Sequence, residues 1–198
     1  MRALGAMGGG VKVLVVGPQQ SGKSCICNAL GGVAMASPES DAGDGALATL
    51  RGLPYRPTAG VRVVELDQAL SAAQARRWGG KRELAVELWD VSGSTKYESC
   101  WPALQKGAVG VVLVYNAEND SQAHEVATWF EWFVEKAGLR PDQCLVLAND
   151  RNSGSGDPRA KPPPALDECE MCYTDADDLD KIRTAFQDFC GALGSFVK

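Results

Sequence analysis

Apolar residues recur along this chain in two rhythms, and each rhythm predicts the element that its stretch forms. Val11 to Val16, Val109 to Tyr115 and Gln143 to Ala148 are near-continuous apolar runs, the pattern of parallel strands buried on both faces. Val61 to Leu66 and Glu83 to Asp90 mix apolar with charged residues and read as an antiparallel pair. Their connection holds a helical-looking run, Gln68 to Arg77, and a turn at Gly79-Gly80. A last short strand is expected over 169–173. Helical spacing governs the remainder. Residues 22–31 read as a first helix, and Ser94 to Lys106 as a loop and short helix carrying Trp101. Between Ser121 and Ala137 the apolar positions are 126, 129, 130, 133 and 134. From Asp177 to Val197 they are Leu179, Ile182, Phe186, Phe189, Leu193 and Phe196, behind an acidic start that suits the positive end of a helix dipole.

Three stretches lack either rhythm. Residues 1–10 are glycine-rich and expected to be disordered. Gly31 to Pro57 is poor in large apolar residues and reads as a long mobile loop, and 153–164, with three consecutive prolines, as an irregular one. Strands that alternate with helices predict a three-layer α/β domain over 11–198. Its sheet is six-stranded and mostly parallel, with one antiparallel hairpin strand and helices on both faces.

Composition narrows the function classes. An apolar share of 45% and a charged share of 23% over 198 residues are globular values for one domain. A net charge of −5 argues against a nucleic-acid grip, and no apolar run reaches membrane-spanning length. Seven scattered cysteines suit a reducing cytosol better than a disulfide framework. Cys169-x-x-Cys172 is a weak zinc or redox signal beside the alternative of a buried strand, and His124 reads as surface at a helix start.

The chemistry lies where the first strand ends. Gly17-Pro18-Gln19-Gln20-Ser21-Gly22-Lys23-Ser24 is G-x-x-x-x-G-K-S between a strand and a helix, the context of a phosphate-binding P-loop. Backbone N–H groups would converge on one anion, Lys23 would reach the outer phosphates, and Ser24 would ligate Mg²⁺. Asp90, at the end of a later strand in Asp90-Val91-Ser92-Gly93, would hold the same Mg²⁺ through water while the Gly93 N–H faces the γ-phosphate.

Taken in order, G-P-Q-Q-S-G-K-S, P-T-A-G and W-D-V-S-G resemble the Ras-like small GTPases, and Rab proteins most closely, over about residues 11–197. The run from Trp89 to Leu104, with Pro57 to Arg62 and Ser153 to Asp157, looks like the Rab-like small-GTPase subunit of intraflagellar transport complex B. That resemblance implies GTP or GDP with Mg²⁺ as ligands. Gly17, Gln19, Gln20, Ser21, Gly22, Lys23, Ser24, Cys25, Thr58, Gly93, Asn149 and Asn152 would contact the nucleotide, and Ser24, Thr58 and Asp90 the metal. It makes 31–57 a lengthened first switch that ends at the γ-phosphate-sensing Thr58. It also implies coiled-coil partners in that complex, and a place in the cytoplasm, the cilium or flagellum and its base.

The sequence departs from the family in three places. Ser94 stands where a glutamine orients the attacking water, so no catalytic residue is assigned and intrinsic hydrolysis is expected to be slow or absent. Asn149-Asp150-Arg151-Asn152 replaces N-K-x-D, which should weaken guanine selection; Thr174 and Ala176 only loosely match the next base-contacting position. No cysteine stands at the end, so no prenyl anchor is expected. The reading is therefore an atypical GTP-binding subunit needed for ciliary assembly or transport, with a hydrolytically cycling regulator of ciliary trafficking as the alternative.

Overall fold

Val13 and Val15 turn their side chains to one face of a six-stranded sheet and Leu14 and Val16 to the other, all fully buried. A strand's period of two thus divides one apolar run between two cores, which is why that run has no polar gaps. The computed structural model describes residues 10–32, 56–150, 162–175 and 179–197. The glycine-rich start and most of the 31–57 and 153–164 loops lie outside the described residues.

The strands are β1 (Val11–Val16), β2 (Val61–Ala69), β3 (Glu83–Val91), β4 (Gly110–Asn116), β5 (Cys144–Asp150) and β6 (Glu170–Asp175). They lie in the order β2-β3-β1-β4-β5-β6, and every neighbouring pair is parallel except β2–β3. This is the mostly parallel sheet with one antiparallel pair that the hydrophobic rhythm predicts. The helices are α1 (Lys23–Leu30), α2 (Ala72–Arg77), α3 (Trp101–Gln105), α4 (Asp120–Phe130) and α5 (Leu179–Leu193). One core gathers Ile26 and Cys27 of α1 with Ile182, Phe186, Phe189, Cys190 and Leu193 of α5. The opposite core gathers α4 and Trp101.

Trp101 lies among Trp129, Trp132 and Phe133, with ring centroids 4.8, 5.6 and 5.1 Å away. Tilted and edge-on contacts of this kind add to burial because the rings' positive edges meet negative faces. The second helical rhythm predicts one helix through Ala137. Instead α4 widens after Phe130 into a π-type turn over Glu131–Glu135, closed by Lys136 N–H on the Glu131 carbonyl, which keeps Phe133 and Val134 in the core. Trp132 is partly buried against that core, with the Lys136 ammonium 3.8 Å from its ring centroid.

β2 continues past Leu66, because Gln68 and Ala69 still pair with Leu84 and Glu83. The helical-looking run is consequently shortened to α2, which opens on a reciprocal Ser71–Gln74 capping box. The connection packs on α5. Gln74 Nε2 donates to Asp188 Oδ1 at 3.0 Å, Trp78 Nε1 to the Cys190 carbonyl at 3.0 Å, and Gln187 Nε2 to the Ala69 carbonyl at 2.9 Å. α5 stops at Leu193 rather than Val197, since the Ser195 and Phe196 N–H groups bond three residues back and tighten the final turn.

Cys169 precedes β6, and Cys172 lies three positions on. The pleat therefore sends them to opposite faces, Cys169 to the α4 core and Cys172 to the α5 core, where they cannot share a metal. Among the described residues no group of three His, Cys, Asp or Glu is placed to hold an ion. Cys169 instead hydrogen-bonds Cys144, which pushes the Cys144 thiol up and holds Cys169 below the usual thiol value. His124 is the fifth residue of α4 rather than its start, and is exposed. No described helix is long and apolar enough to cross a membrane.

Candidate functional site

At the carboxyl end of β1 the chain leaves the sheet through Gly17, whose φ of 137° and position, 2.0 Å from an ideal Cβ to the Val114 carbonyl oxygen, exclude a side chain. Gln20 takes φ 60°, in the left-handed region, and the loop closes at Gly22, the N-cap of α1. Glycine offers that helix no side-chain acceptor, so its first N–H groups are left for another partner. Gln19 and Gln20 are exposed, Ser21 is fully buried, and Cys25 is half-buried in the first turn.

Lys23 is only 6% exposed and folds back over its own loop, donating to the Pro18 carbonyl and, at 3.3 Å, to Ser21 Oγ. Burial lowers its pKa to about 8, against the raising influence of Asp90. This ammonium is desolvated, and Asp90 offsets part of that cost. A phosphate on the loop would offset more.

Beside the loop, Ser24 Oγ lies 2.9 Å from Thr58 Oγ1. Asp90, at the end of β3, is fully buried. One of its oxygens, Oδ2, accepts from Arg62 Nη2 at 3.1 Å, and the same Nη2 lies 3.3 Å from the Ser24 carbonyl oxygen. The other, Oδ1, has no hydrogen-bond partner among the described residues. Two hydroxyls and an incompletely satisfied carboxylate form an all-oxygen set that suits Mg²⁺. Gly93 comes so close to the loop that a Cβ would stand 2.6 Å from the Gln19 nitrogen, so only glycine lets the two backbones meet.

At the end of β5, Asn149 is 5% exposed, and its Nδ2 donates to the Ser21 carbonyl at 3.1 Å. It ties the first position of the altered base motif to the phosphate loop. Asn152 and Ala176 lie outside the described residues. Thr174 stands beside Asn149 in the β5–β6 ladder, and its buried Oγ1 has no partner among the described residues. Ser94 is half-buried, and its N–H is held by Ser92 Oγ at 3.3 Å.

The fold thus gathers the residues from Gly17 to Cys25 with Thr58, Asp90, Gly93 and Asn149 at one end of the sheet. Two neighbours carry no role in the sequence reading. Arg62 is visible only through register, since counting the β2–β3 ladder sets it opposite Asp90. Gln122 accepts from Asn116 N–H at 2.8 Å and donates to the Gln19 carbonyl at 2.9 Å, bracing the loop from α4. Polar content at an α4 start gives no hint of that.

The chain has relatives among known proteins. The Ras family profile matches residues 55–152. The Intraflagellar transport protein 22 homolog of Bos taurus is 35% identical over 178 residues, 88% of this chain and 85% of that protein. That of Xenopus tropicalis is 36% identical over 187 residues, 93% and 90% of the two chains. Among solved structures, the GTP-bound T. brucei IFT22/74/81 crystal structure contains a chain 25% identical to this one. It superposes with a TM-score of 0.62 over 90% of this chain and 93% of that one.

Proposed function

Because this chain belongs to the family of the intraflagellar transport protein 22 homologues and carries a Ras-family domain, we propose that it is a guanine-nucleotide-binding subunit of intraflagellar transport complex B. It holds GTP or GDP on the Gly17–Cys25 segment and hydrolyses it slowly or not at all. The observation that carries this reading is Lys23, a desolvated ammonium, 6% exposed, folded over a loop of turned backbone. Thr58 and Gly93 approach the outer phosphates, and Asn149 and Asn152 the base. Ser24, Thr58 and Asp90 are the residues that would hold Mg²⁺, whose part is to neutralise charge on the phosphates.

Hydrolysis is slow because Ser94 is too short to hold a water in line, and catalysis by such proteins is largely positioning. The solved T. brucei complex joins IFT22 with IFT74 and IFT81. Coiled-coil subunits of that kind are the partners proposed here, with residence in the cytoplasm, at the ciliary base and in the cilium or flagellum. Recruitment runs through them.

The test is to extract and identify the nucleotide retained by the purified protein, then to measure binding of that loaded protein to the recombinant IFT74/81 pair. Retained GTP or GDP, lost in Lys23→Ala, is expected. Neither retained nucleotide nor binding of added GTP at high micromolar concentration would overturn the reading.

A further inference from the structure

We propose that Arg62 is a built-in cation at the Ser24–Thr58–Asp90 cluster, so that a divalent ion must displace it to enter and nucleotide is held with little dependence on free Mg²⁺. This rests on the nucleotide-binding reading above and concerns how that site is regulated.

Four observations carry it. A fully buried carboxylate is costly unless paired, and Asp90 is paired by Arg62. Lys23, the other cation of the site, donates instead to Pro18 and Ser21 of its own loop, which among the described residues leaves Arg62 as the cation bonded to Asp90. The same guanidinium nitrogen also reaches the Ser24 carbonyl, so it bridges the strand that carries Asp90 and the helix that carries the Ser24 hydroxyl. Finally, the Arg62 side chain is 42% exposed, whereas Asp90 is 0% exposed. The arginine can therefore leave toward water while the carboxylate stays in place.

Two arrangements follow. With Arg62 inward, Asp90 is neutralised within the chain and the site carries a positive charge next to the incoming phosphates. With Arg62 outward, Asp90 is free for a hydrated divalent ion. The two cations repel each other across a few ångströms of partly desolvated protein, so they do not share the carboxylate comfortably. Register makes the competition a fixed property of the hairpin, because Arg62 and Asp90 are cross-strand partners.

The experiment follows release of a fluorescent GDP analogue from the full chain, in millimolar Mg²⁺ and after EDTA. For the unmodified protein, EDTA is expected to change the release rate by less than about threefold. In Arg62→Ala, and in Arg62→Gln, which keeps a hydrogen-bond donor but removes the charge, EDTA is expected to accelerate release by about tenfold or more. The Gln variant guards against misfolding of the Ala variant. Equal chelator sensitivity in all three proteins overturns the proposal, as does strong sensitivity in the unmodified protein. If none of the three binds the analogue, the nucleotide-binding reading falls as well. Binding with equal sensitivity removes only the role of Arg62.

Discussion

The hydroxyls of Ser24 and Thr58 lie 2.9 Å apart although 34 residues separate them in the chain. The residues just before β2 therefore lie against the phosphate loop. Thr58 meets Ser24 there, at the side of the loop. Thr58→Ala should reduce the preference for GTP over GDP by about 3- to 10-fold, the worth of one hydrogen bond of roughly 1 kcal/mol. Parallel titrations with the two nucleotides measure it, and an unchanged ratio would remove Thr58 from the γ-phosphate.

Asn149 braces the loop from β5, through its amide on the Ser21 carbonyl. Asn149→Ala leaves that buried carbonyl without its donor, and should cost about 1–3 kcal/mol of stability in urea unfolding. Since Asn149 is also proposed to approach the base, affinity for GTP should fall further than affinity for ATP. An equal loss for both nucleotides would confine Asn149 to bracing the loop.

Lys23 loses its proton near pH 8 in the free protein, because burial disfavours the ammonium. Phosphate favours the protonated form, so above pH 8 binding must take up a proton, and affinity should decline as pH rises, by up to about tenfold per unit. Below pH 8 the lysine is already charged and this contribution is flat. Calorimetry in buffers of differing ionisation enthalpy detects the proton uptake, which should vanish in Lys23→Met.

Ser94 occupies the position from which a longer amide would orient water. Ser94→Gln should raise single-turnover GTP hydrolysis by at least about tenfold, equal to about 1.4 kcal/mol of barrier. Chromatographic separation of GTP and GDP over time provides the rate. No increase would mean that the segment after Gly93 is set wrongly for catalysis whatever its side chain.

Trp101 is 2% exposed at the centre of three aromatic neighbours. Trp101→Ala should destabilise the protein by about 3–5 kcal/mol, a cavity cost, as read by denaturant unfolding. Its effect on nucleotide affinity at low temperature should be small by comparison.

The sheet was legible because its core is told by residue type alone. Val13 to Val16 and Val111 to Tyr115 can only be strands covered on both faces, and the glycines at the end of the first run mark where the chain must turn. Helix ends were less legible. The widening after Phe130 and the stop at Leu193 depend on which carbonyls the last N–H groups find, and that is decided by packing. The site divided along the same line. Lys23, Ser24 and Asp90 follow from local order, strand then loop or carboxylate. Arg62 and Gln122 act across the fold, one through strand register and the other through α4 meeting the loop, and no local spacing announces either.

The α2 clip on α5 has a mechanical consequence. The far end of the β2–β3 hairpin is tied to the last helix by Gln74, Trp78 and Gln187, so lengthwise creep past β1 would break these three bonds together with the β1–β3 ladder. The end that bears Arg62 has no such tie to α5 among the described residues, so the hairpin is held more firmly at the tip away from the phosphate loop.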